Sequence, residues 1–202
     1  MFSFQEKKTV SEIREVISDE ELKYVDPFLK ENYPNFYRYK KIFEYSGGRS
    51  AELFRVQRKH VDLENQEYTV QIQKGRKYTW ETKIIIKSAI PYWKEILSLC
   101  NDDEDYLFSK KLIPGPDKIN PDQVTRRWKR LVKDSNKILD ENGEVIKITA
   151  DFYTHKHNFL DKIDEMHESA KVIPISSENP AKILANHKSD KMTGVYAFKT
   201  QK

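Results

Sequence analysis

The sequence has a single cysteine, Cys100, among its 202 residues. One cysteine cannot form an intramolecular disulfide or a zinc site of several cysteines, so a reducing compartment is expected. No apolar run approaches the roughly 18 residues that a membrane span needs, and the N-terminus lacks the apolar block of a secretion signal. These absences predict a cytoplasmic protein with no membrane partner.

A strong excess of charge of one sign is also missing. The 36 basic and 32 acidic residues leave a net charge of +4, a bias too small to indicate nucleic-acid binding by itself. No histidine or cysteine cluster has the spacing of metal ligands, and His155 and His157 are expected on different helix faces, so no metal site is predicted. The 38% hydrophobic and 12% aromatic content favours a folded protein.

The first half of the chain carries clear signals for two helices. Ser18 and Glu21 form a predicted capping box that begins the first helix. Pro27 lies inside its apolar pattern and should break or kink it, whereas Pro34 should open the second helix. The second helix is expected to end at the Gly-Gly turn of Ser46–Leu53.

A block of β-branched and alternating residues follows the second helix. Residues 68–73 predict a strand, residues 74–77 a turn, and residues 80–87 a second strand, which together make an antiparallel hairpin with a basic tip. Because the strands cluster in one block of a helical chain, the pattern indicates an α+β fold. A further short strand is expected at residues 145–148.

A strongly basic helix is predicted at residues 120–138. Its cations alternate with apolar residues at helical spacing, which fits either a solvated amphipathic face or a helix that tracks DNA phosphates. The candidate DNA-binding residues of this helix, with those of the hairpin tip, are Arg76, Lys77, Arg126, Arg127, Lys129 and Arg130.

The glycine turn also presents one arginine. Arg49 follows Gly47 and Gly48 and precedes a short helix, so its guanidinium can project from a helix end. Glu52 lies one turn further on and is expected to hold the Arg49 side chain in position, as a fork of donors for a phosphate. Taken alone, such a turn is more often an ordinary helix C-cap.

Four segments, in their order and spacing, resemble the tyrosine recombinases, or phage integrases, over residues 18–198. The stretch Ser46–Leu53 looks like the first arginine motif of that family, a glycine turn, an arginine, two residues and a glutamate. Lys74 lies where the family has a hairpin lysine. Lys77, Lys83 and Lys87 are alternatives for that lysine, because loop lengths alone do not exclude them.

The second half of the motif set lies towards the C-terminus. Residues 152–159, predicted to start a helix that runs to residue 166, resemble the family motif of histidine, two residues, arginine and histidine. Here Tyr153 replaces the histidine and Lys156 the arginine; a shifted register using His155 would put Asn158 at the arginine position. Residues 184–196 resemble the closing box, in which the nucleophilic tyrosine follows the histidine by nine positions.

The resemblance implies an α+β catalytic domain, mainly helical with a small antiparallel three-stranded sheet. It also implies a site-specific DNA recombinase that cleaves and rejoins DNA through a 3′-phosphotyrosyl intermediate, without metal or cofactor. Its catalytic residues would be Arg49, Lys74, Tyr153, Lys156, His187 and Tyr196, with Glu52 as the positioning residue.

The same resemblance implies partners and domain limits. The partner is double-stranded DNA, on which the full-length protein would assemble as a tetramer, and the gene would be bacterial or carried by a phage or mobile element. Residues 1–17 are expected to be a linker or the trimmed end of an N-terminal core-binding domain, and residues 18–202 the catalytic domain.

Two other functions fit the same residues. The first is a noncatalytic DNA-binding relative of the family that lost turnover through Tyr153 and Lys156. The second is an enzyme similar to type IB topoisomerases, which use related chemistry. The two substituted positions bear on activity more than on fold, because lysine offers a phosphate a point charge in place of a bidentate fork.

Overall fold

The fold is helical apart from one small sheet. The computed structural model describes residues 15–170, with the backbone alone for Lys74 and residues 166–170. Short 3₁₀ turns lie at Arg58–His60, Lys87–Ala89 and Lys110–Leu112. The main elements are α1 (Asp19–Asn32), α2 (Pro34–Ser46), α3 (Ser50–Leu53), β1 (Val61–Asp62), β2 (Glu67–Lys74), β3 (Lys77–Ile84), α4 (Ile90–Ser98), α5 (Asp122–Trp128) and α6 (Thr154–Ala170).

Helix α1 begins as its sequence predicts. The Ser18 hydroxyl accepts the Glu21 N–H at 3.1 Å, and the Glu21 carboxylate accepts the Ser18 N–H at 2.7 Å. Pro27, which the sequence predicts to break or kink the helix, does not break it, because the helix continues through this residue to Asn32. Val25 and Leu29 on either side are fully buried, and their burial outweighs the loss of one backbone hydrogen bond.

Helix α2 supplies the centre of the core. Pro34 occupies its first turn, as predicted, and Gly47 ends it with a φ of 59°, a left-handed conformation that glycine adopts without a steric penalty. The Tyr39 ring is fully buried and packs at centroid distances of 4.9–6.2 Å from the rings of Phe43, Phe54, Phe108 and Phe152.

The sheet is three-stranded and antiparallel in the order β1-β2-β3, as predicted. Strand β3 begins at Lys77 and ends at Ile84, earlier at both ends than the predicted residues 80–87. The inner face of β2 packs against α4, with the rings of Tyr68 and Trp93 4.8 Å apart. The hairpin turn is reduced to Gly75, with a φ of 63°, and the next residue.

The basic helix is shorter than predicted. Helix α5 passes at Trp128 into a π-helical turn, Lys129–Lys133, and the chain then leaves the helix. Residues 134–136 are Asp-Ser-Asn, side chains that compete for backbone hydrogen bonds and favour helix ends. The predicted strand at residues 145–148 is also wrong, since it is reduced to a single bridge between Leu139 and Val145.

Helix α6 begins at Thr154, two residues later than predicted, and packs against α2. Its Asn158 side chain donates to the Ile17 carbonyl at 3.0 Å, and Ile17 itself is buried in the core. None of the helices in the part of the chain that the structure describes is long and apolar enough to cross a membrane.

Candidate active site

The turn that carries Arg49 is held by its own side chains. The Ser46 hydroxyl donates to the Phe43 carbonyl at 2.9 Å and accepts the Gly48 N–H at 3.1 Å. Arg49 follows in an extended conformation with an exposed side chain, and α3 starts at the next residue. The turn therefore ends one helix, begins another, and leaves a guanidinium at the surface between them.

Glu52 holds Arg49 through the backbone, where the sequence led us to expect a contact with the guanidinium. Its Oε2 accepts the Arg49 N–H at 3.0 Å and also accepts a hydrogen bond from Lys83 Nζ at 2.8 Å. Both side chains of this ion pair are less than one-tenth exposed. Glu52 thus connects the arginine turn to strand β3.

The charge of Glu52 is stabilised where it lies. Burial by itself would raise the pKa of this carboxyl group. The positive charge and hydrogen bond of Lys83, the N–H of Arg49 and the charge of Lys156 more than compensate, and the pKa is lowered from its ordinary value. Glu52 is therefore an anion at neutral pH.

Lys156 brings a second cation to the same place from α6. The residue is 3% exposed. Burial lowers the pKa of its amine, the attraction of Glu52 raises this pKa, and repulsion from Lys83 and Arg49 lowers it. The resulting pKa is about 8. These electrostatic effects require Lys156 to lie near all three groups. Residues that are far apart in sequence, on α3, β3 and α6, therefore form one charged cluster.

Tyr153 lies one turn before Lys156 and contacts the aromatic core. Its ring lies 5.7 Å from the Phe43 ring and 5.7 Å from the His157 ring, and Lys156 Nζ is 5.8 Å from its centroid. The ring connects the cluster to α2. Tyr153 and Lys156 are thus together, as their motif predicts.

His155 belongs to the core. Its ring is buried between Trp128, at 4.8 Å, and Phe152, at 5.6 Å. Burial, with the charges of Lys40 and Lys41, holds its pKa well below the ordinary value, so the ring is neutral. This environment supports the motif register that uses Tyr153 and Lys156.

The lysines of the hairpin occupy different environments. Lys83 is buried beside Glu52, whereas Lys77 is exposed at the start of β3 and Lys87 is exposed beyond the sheet. Lys74 ends β2, opposite Lys77 in the register. Of the three lysines whose side chains the structure describes, Lys83 is the one that lies in the charged cluster.

The sequence indicated Lys83 only as an alternative for the hairpin lysine and did not predict its contact with Glu52, although one signal points to a buried position. Lys83 pairs with Tyr68 across the hairpin, and Tyr68 lies on the inward face of β2 with Val70 and Ile72. Directly opposed residues in an antiparallel pair share a face. Once the hairpin register is known, Lys83 must therefore point inward and requires an acidic partner.

The predicted DNA-binding cations form two exposed groups. Arg76 and Lys77 lie at the hairpin tip, and Arg126, Lys129 and Arg130 are exposed along α5 and its π turn. Arg127 is partly buried, and burial together with repulsion from Arg130 lowers its pKa.

A cavity of about 340 Å³ lies where the α1–α2 junction approaches α5. Arg127 and Arg130 line it together with Lys111. Three cations on one cavity make it an attractive position for an anion.

Two predicted site residues, His187 and Tyr196, lie outside the described residues. Within the residues that the structure describes, no group of three or more histidine, cysteine, aspartate or glutamate side chains could hold a metal ion.

Comparison with known proteins identifies the fold. No family model and no curated protein matches the chain. Among solved structures, it matches XerA recombinase with a TM-score of 0.62 and 17% identity, over 93% of this chain and 61% of that one. It matches Tn1549 transposon integrase, in complex with transposon right end DNA, with a TM-score of 0.66 and 15% identity, over 93% and 62%.

A lambda integrase dimer bound to a COC′ core site matches with a TM-score of 0.62 and 15% identity, over 94% of this chain and 61% of that one. The chain thus spans about three-fifths of the length of these structures. At such low identity the likeness shows the fold alone, which is the α+β catalytic-domain fold of tyrosine recombinases.

Proposed function

We propose that this chain is the catalytic domain of a site-specific DNA recombinase, an integrase, that cleaves and rejoins DNA through a 3′-phosphotyrosyl intermediate. The observation that carries the proposal is the cluster of Arg49, Lys83, Lys156 and Glu52. Three cations around one carboxylate leave an excess of positive charge, which suits the extra negative charge of a phosphorane transition state. The shared fold supports the same reaction.

In the proposed reaction, Tyr196 Oη attacks the scissile phosphorus and gives up its phenolic proton, for which His187 would be the acceptor. An oxygen–phosphorus bond forms to the tyrosine, and the bond to the 5′ oxygen breaks. Arg49 and Lys156 would bind the nonbridging oxygens, and Lys74 would protonate the leaving 5′ oxygen. The phosphotyrosyl ester conserves the energy of the phosphodiester, so rejoining needs no nucleotide cofactor, and fixed cations supply the charge stabilisation without a metal.

The two remaining catalytic residues have supporting roles in the proposal. His187 would donate to the phosphate or take part in proton transfer. Tyr153 would donate a hydrogen bond in place of the family histidine. Its position one turn from Lys156, with its ring 5.8 Å from Lys156 Nζ, is compatible with a shared phosphate.

DNA binding is proposed through the two exposed basic groups. The hairpin tip, with Arg76 and Lys77, and the basic helix, with Arg126, Arg127, Lys129 and Arg130, would contact phosphates, so affinity should fall steeply with salt. Support comes from the solved structures of the same fold, which include Tn1549 integrase in complex with transposon DNA and a lambda integrase tetramer bound to a Holliday junction. We propose a tetramer on DNA for the full-length protein as well.

We also propose that residues 18–202 form the catalytic domain and that residues 1–17 form a linker or the trimmed end of a core-binding domain. The burial of Ile17 would attach the end of that linker to the catalytic core. The protein would act in the bacterial cytoplasm, where a phage or mobile element meets its DNA target.

A noncatalytic DNA-binding role is the second candidate. It is favoured by Lys156, whose pKa of about 8 leaves part of this group neutral near physiological pH, whereas an arginine would stay charged. Such a protein would bind DNA in a salt-dependent manner and form no covalent adduct.

A suicide substrate distinguishes the two candidates. Duplexes made from the DNA that flanks the gene would carry a nick near each candidate cleavage point, so that the released fragment diffuses away and the phosphotyrosyl adduct accumulates. The full-length protein should form an adduct that resists denaturant, and Tyr196→Phe should not. Salt-dependent binding without an adduct would favour the noncatalytic role, and an adduct in Tyr196→Phe would refute the assigned nucleophile.

A further inference from the structure

Lys83 and Glu52 form a buried ion pair at the edge of the proposed active site. Lys83 Nζ donates to Glu52 Oε2 at 2.8 Å, and the two side chains are 5% and 9% exposed. A buried lysine needs a partner, because an isolated charge in a protein interior is strongly destabilising. Glu52 is therefore fixed from the sheet side.

The same Glu52 oxygen is shared with the arginine turn. Oε2 accepts the Arg49 N–H at 3.0 Å, so a movement of the Lys83 ammonium would change the position of the atom that holds the Arg49 backbone. In this way one carboxylate oxygen joins strand β3 to the residue that presents the guanidinium.

Gly48 leaves room for this arrangement. A Cβ on Gly48 would lie 2.9 Å from Glu52 Oε2 and 3.1 Å from Lys83 Nζ, which is closer than a methyl group can approach without displacing them. The absence of a side chain beside the ion pair therefore has a packing reason. The turn, the carboxylate and the lysine fit together as one unit.

We infer that Lys83 is a positioning residue of the proposed active site, which fixes Glu52 against the Arg49 backbone and limits the attraction of Glu52 for Lys156. This inference deepens the proposed function and rests on it. In this role Lys83 acts through Glu52, which differs from the role of the lysine that would protonate the leaving oxygen.

The charges around Lys156 give the inference a direct readout. Glu52 raises the pKa of Lys156, while Lys83 on β3 and Arg49 before α3 lower it, with the effect of Glu52 larger than that of Lys83. The Tyr153 ring, just before α6, faces Lys156, with Lys156 Nζ 5.8 Å from the ring centroid. A change of charge at position 83 or 52 should therefore move the pKa of Lys156 in a defined direction.

The test measures the pKa of Lys156 in the chain without DNA, from the pH dependence of lysine side-chain carbon shifts, assigned with Lys156→Arg. In order of falling pKa, we expect Lys83→Met, wild type, the double variant Lys83→Met/Glu52→Gln, and Glu52→Gln. The rise in Lys83→Met should be about one unit, a tenfold change in the ratio of charged to neutral amine. Lys94→Met, which removes an exposed lysine of α4, should leave the value unchanged.

If Lys83→Met does not fold, the double variant and Glu52→Gln still differ only at position 83. Equal Lys156 pKa values in these two would overturn the inference. A second readout is amide hydrogen exchange at Arg49, which should accelerate in Lys83→Met and return towards wild type in Lys83→Arg, since arginine restores the charge. Unchanged exchange in folded Lys83→Met would also overturn it.

The adduct assay separates this inference from the proposed function. With Lys83→Met, the pH at which adduct formation falls should shift in the same direction as the pKa of Lys156. Adducts with a pH profile that is identical in wild type and Lys83→Met would preserve the function and refute the positioning role. If the Lys156 pKa values follow the predicted order but the wild type forms no adduct, Lys83 does position Glu52 and Arg49, and the recombinase reaction is refuted.

Discussion

Replacing Lys156 by methionine should stabilise the fold at neutral pH. Methionine keeps the length and apolar stem of the side chain but removes a charge that is 97% shielded from solvent, since the residue is 3% exposed. Burial is the largest cause of its lowered pKa. The charged form of Lys156 therefore destabilises the folded state. An anion-binding site would keep such a charge because its function needs it.

The pKa of Lys156 sets the size of the effect. It falls from an ordinary value of 10.5 to about 8, and one pKa unit corresponds to about 1.4 kcal/mol, so the charged side chain destabilises the folded state by about 3 kcal/mol. Glu52 loses one favourable neighbour in the variant, although Lys156 has the smallest effect on its pKa. We therefore expect a net gain of about 2 kcal/mol near pH 7.

The sign of the pH dependence follows from proton binding. Below about pH 8 Lys156 is protonated in both the folded and the unfolded state, and the full destabilisation is present. Between about 8 and 10.5 the unfolded state binds the proton and the folded state does not, so the stability of the wild type rises with pH. Above 10.5 the destabilisation has gone.

Urea unfolding at a series of pH values tests this reasoning. The gain in unfolding free energy of Lys156→Met over wild type should be largest near pH 7 and shrink towards about pH 10. Lys94→Met, at an exposed lysine of α4, is the matched control and should show no such trend. A difference that is independent of pH, or a loss of stability near pH 7, would refute the argument.

Three further outcomes are expected. Gly48→Ala should lower the unfolding free energy by about 1–3 kcal/mol in urea titrations, because the new methyl group meets Glu52 and Lys83; an unchanged midpoint would show that the ion pair shifts without penalty. Arg126→Ala should weaken DNA binding and reduce the slope of log affinity against log salt by about 1, and an unaltered slope would exclude a phosphate contact. Lys156→Arg should maintain the adduct rate at low DNA concentration above about pH 8, where the wild-type rate falls as Lys156 loses its proton; parallel profiles for the two proteins would contradict this role.

The helix ends could be predicted from sequence because a few neighbouring residues determine them. The capping box at Ser18 and the first-turn proline at Pro34 depend on atoms within about four residues. The same holds for Gly47, whose positive φ ends α2. At each of these positions the local rule and the structure agree.

The continuation of α1 through Pro27 and the end of α5 involve tertiary packing, which local sequence rules do not consider. Pro27 is tolerated because the residues on both sides of it are buried by α1 packing, which a local breaker rule does not consider. The basic helix ends in the π turn Lys129–Lys133. Just before this turn, the Trp128 indole N–H donates to the Ala150 carbonyl at 2.8 Å. Ala150 lies 22 residues further along the chain, so the helical periodicity of the sequence does not indicate this contact.

The candidate site was predictable in part. Motif spacing identified Arg49, Lys156 and Glu52, and the structure brings them together. The contact of Glu52 with Lys83 required the hairpin register, because a shift by one residue would place Lys83 on the opposite face of the sheet. The roles assigned to Lys74, His187 and Tyr196 stay predictions.

A second buried charge cluster joins α1 to α2. Lys40, which is fully buried, lies 2.7 Å from Asp26 and 3.2 Å from Glu44, and Lys41 contacts the same two carboxylates at 3.5 and 3.2 Å. Sliding one helix along the other by a turn would separate these charges in a medium that solvates them poorly.

The two helices should therefore keep a single relative alignment, which apolar contacts alone would not enforce. Any rearrangement of the protein must then carry α1 and α2 as one rigid piece. Because α2 ends at the turn that presents Arg49, a displacement of α1 would move the arginine turn with it.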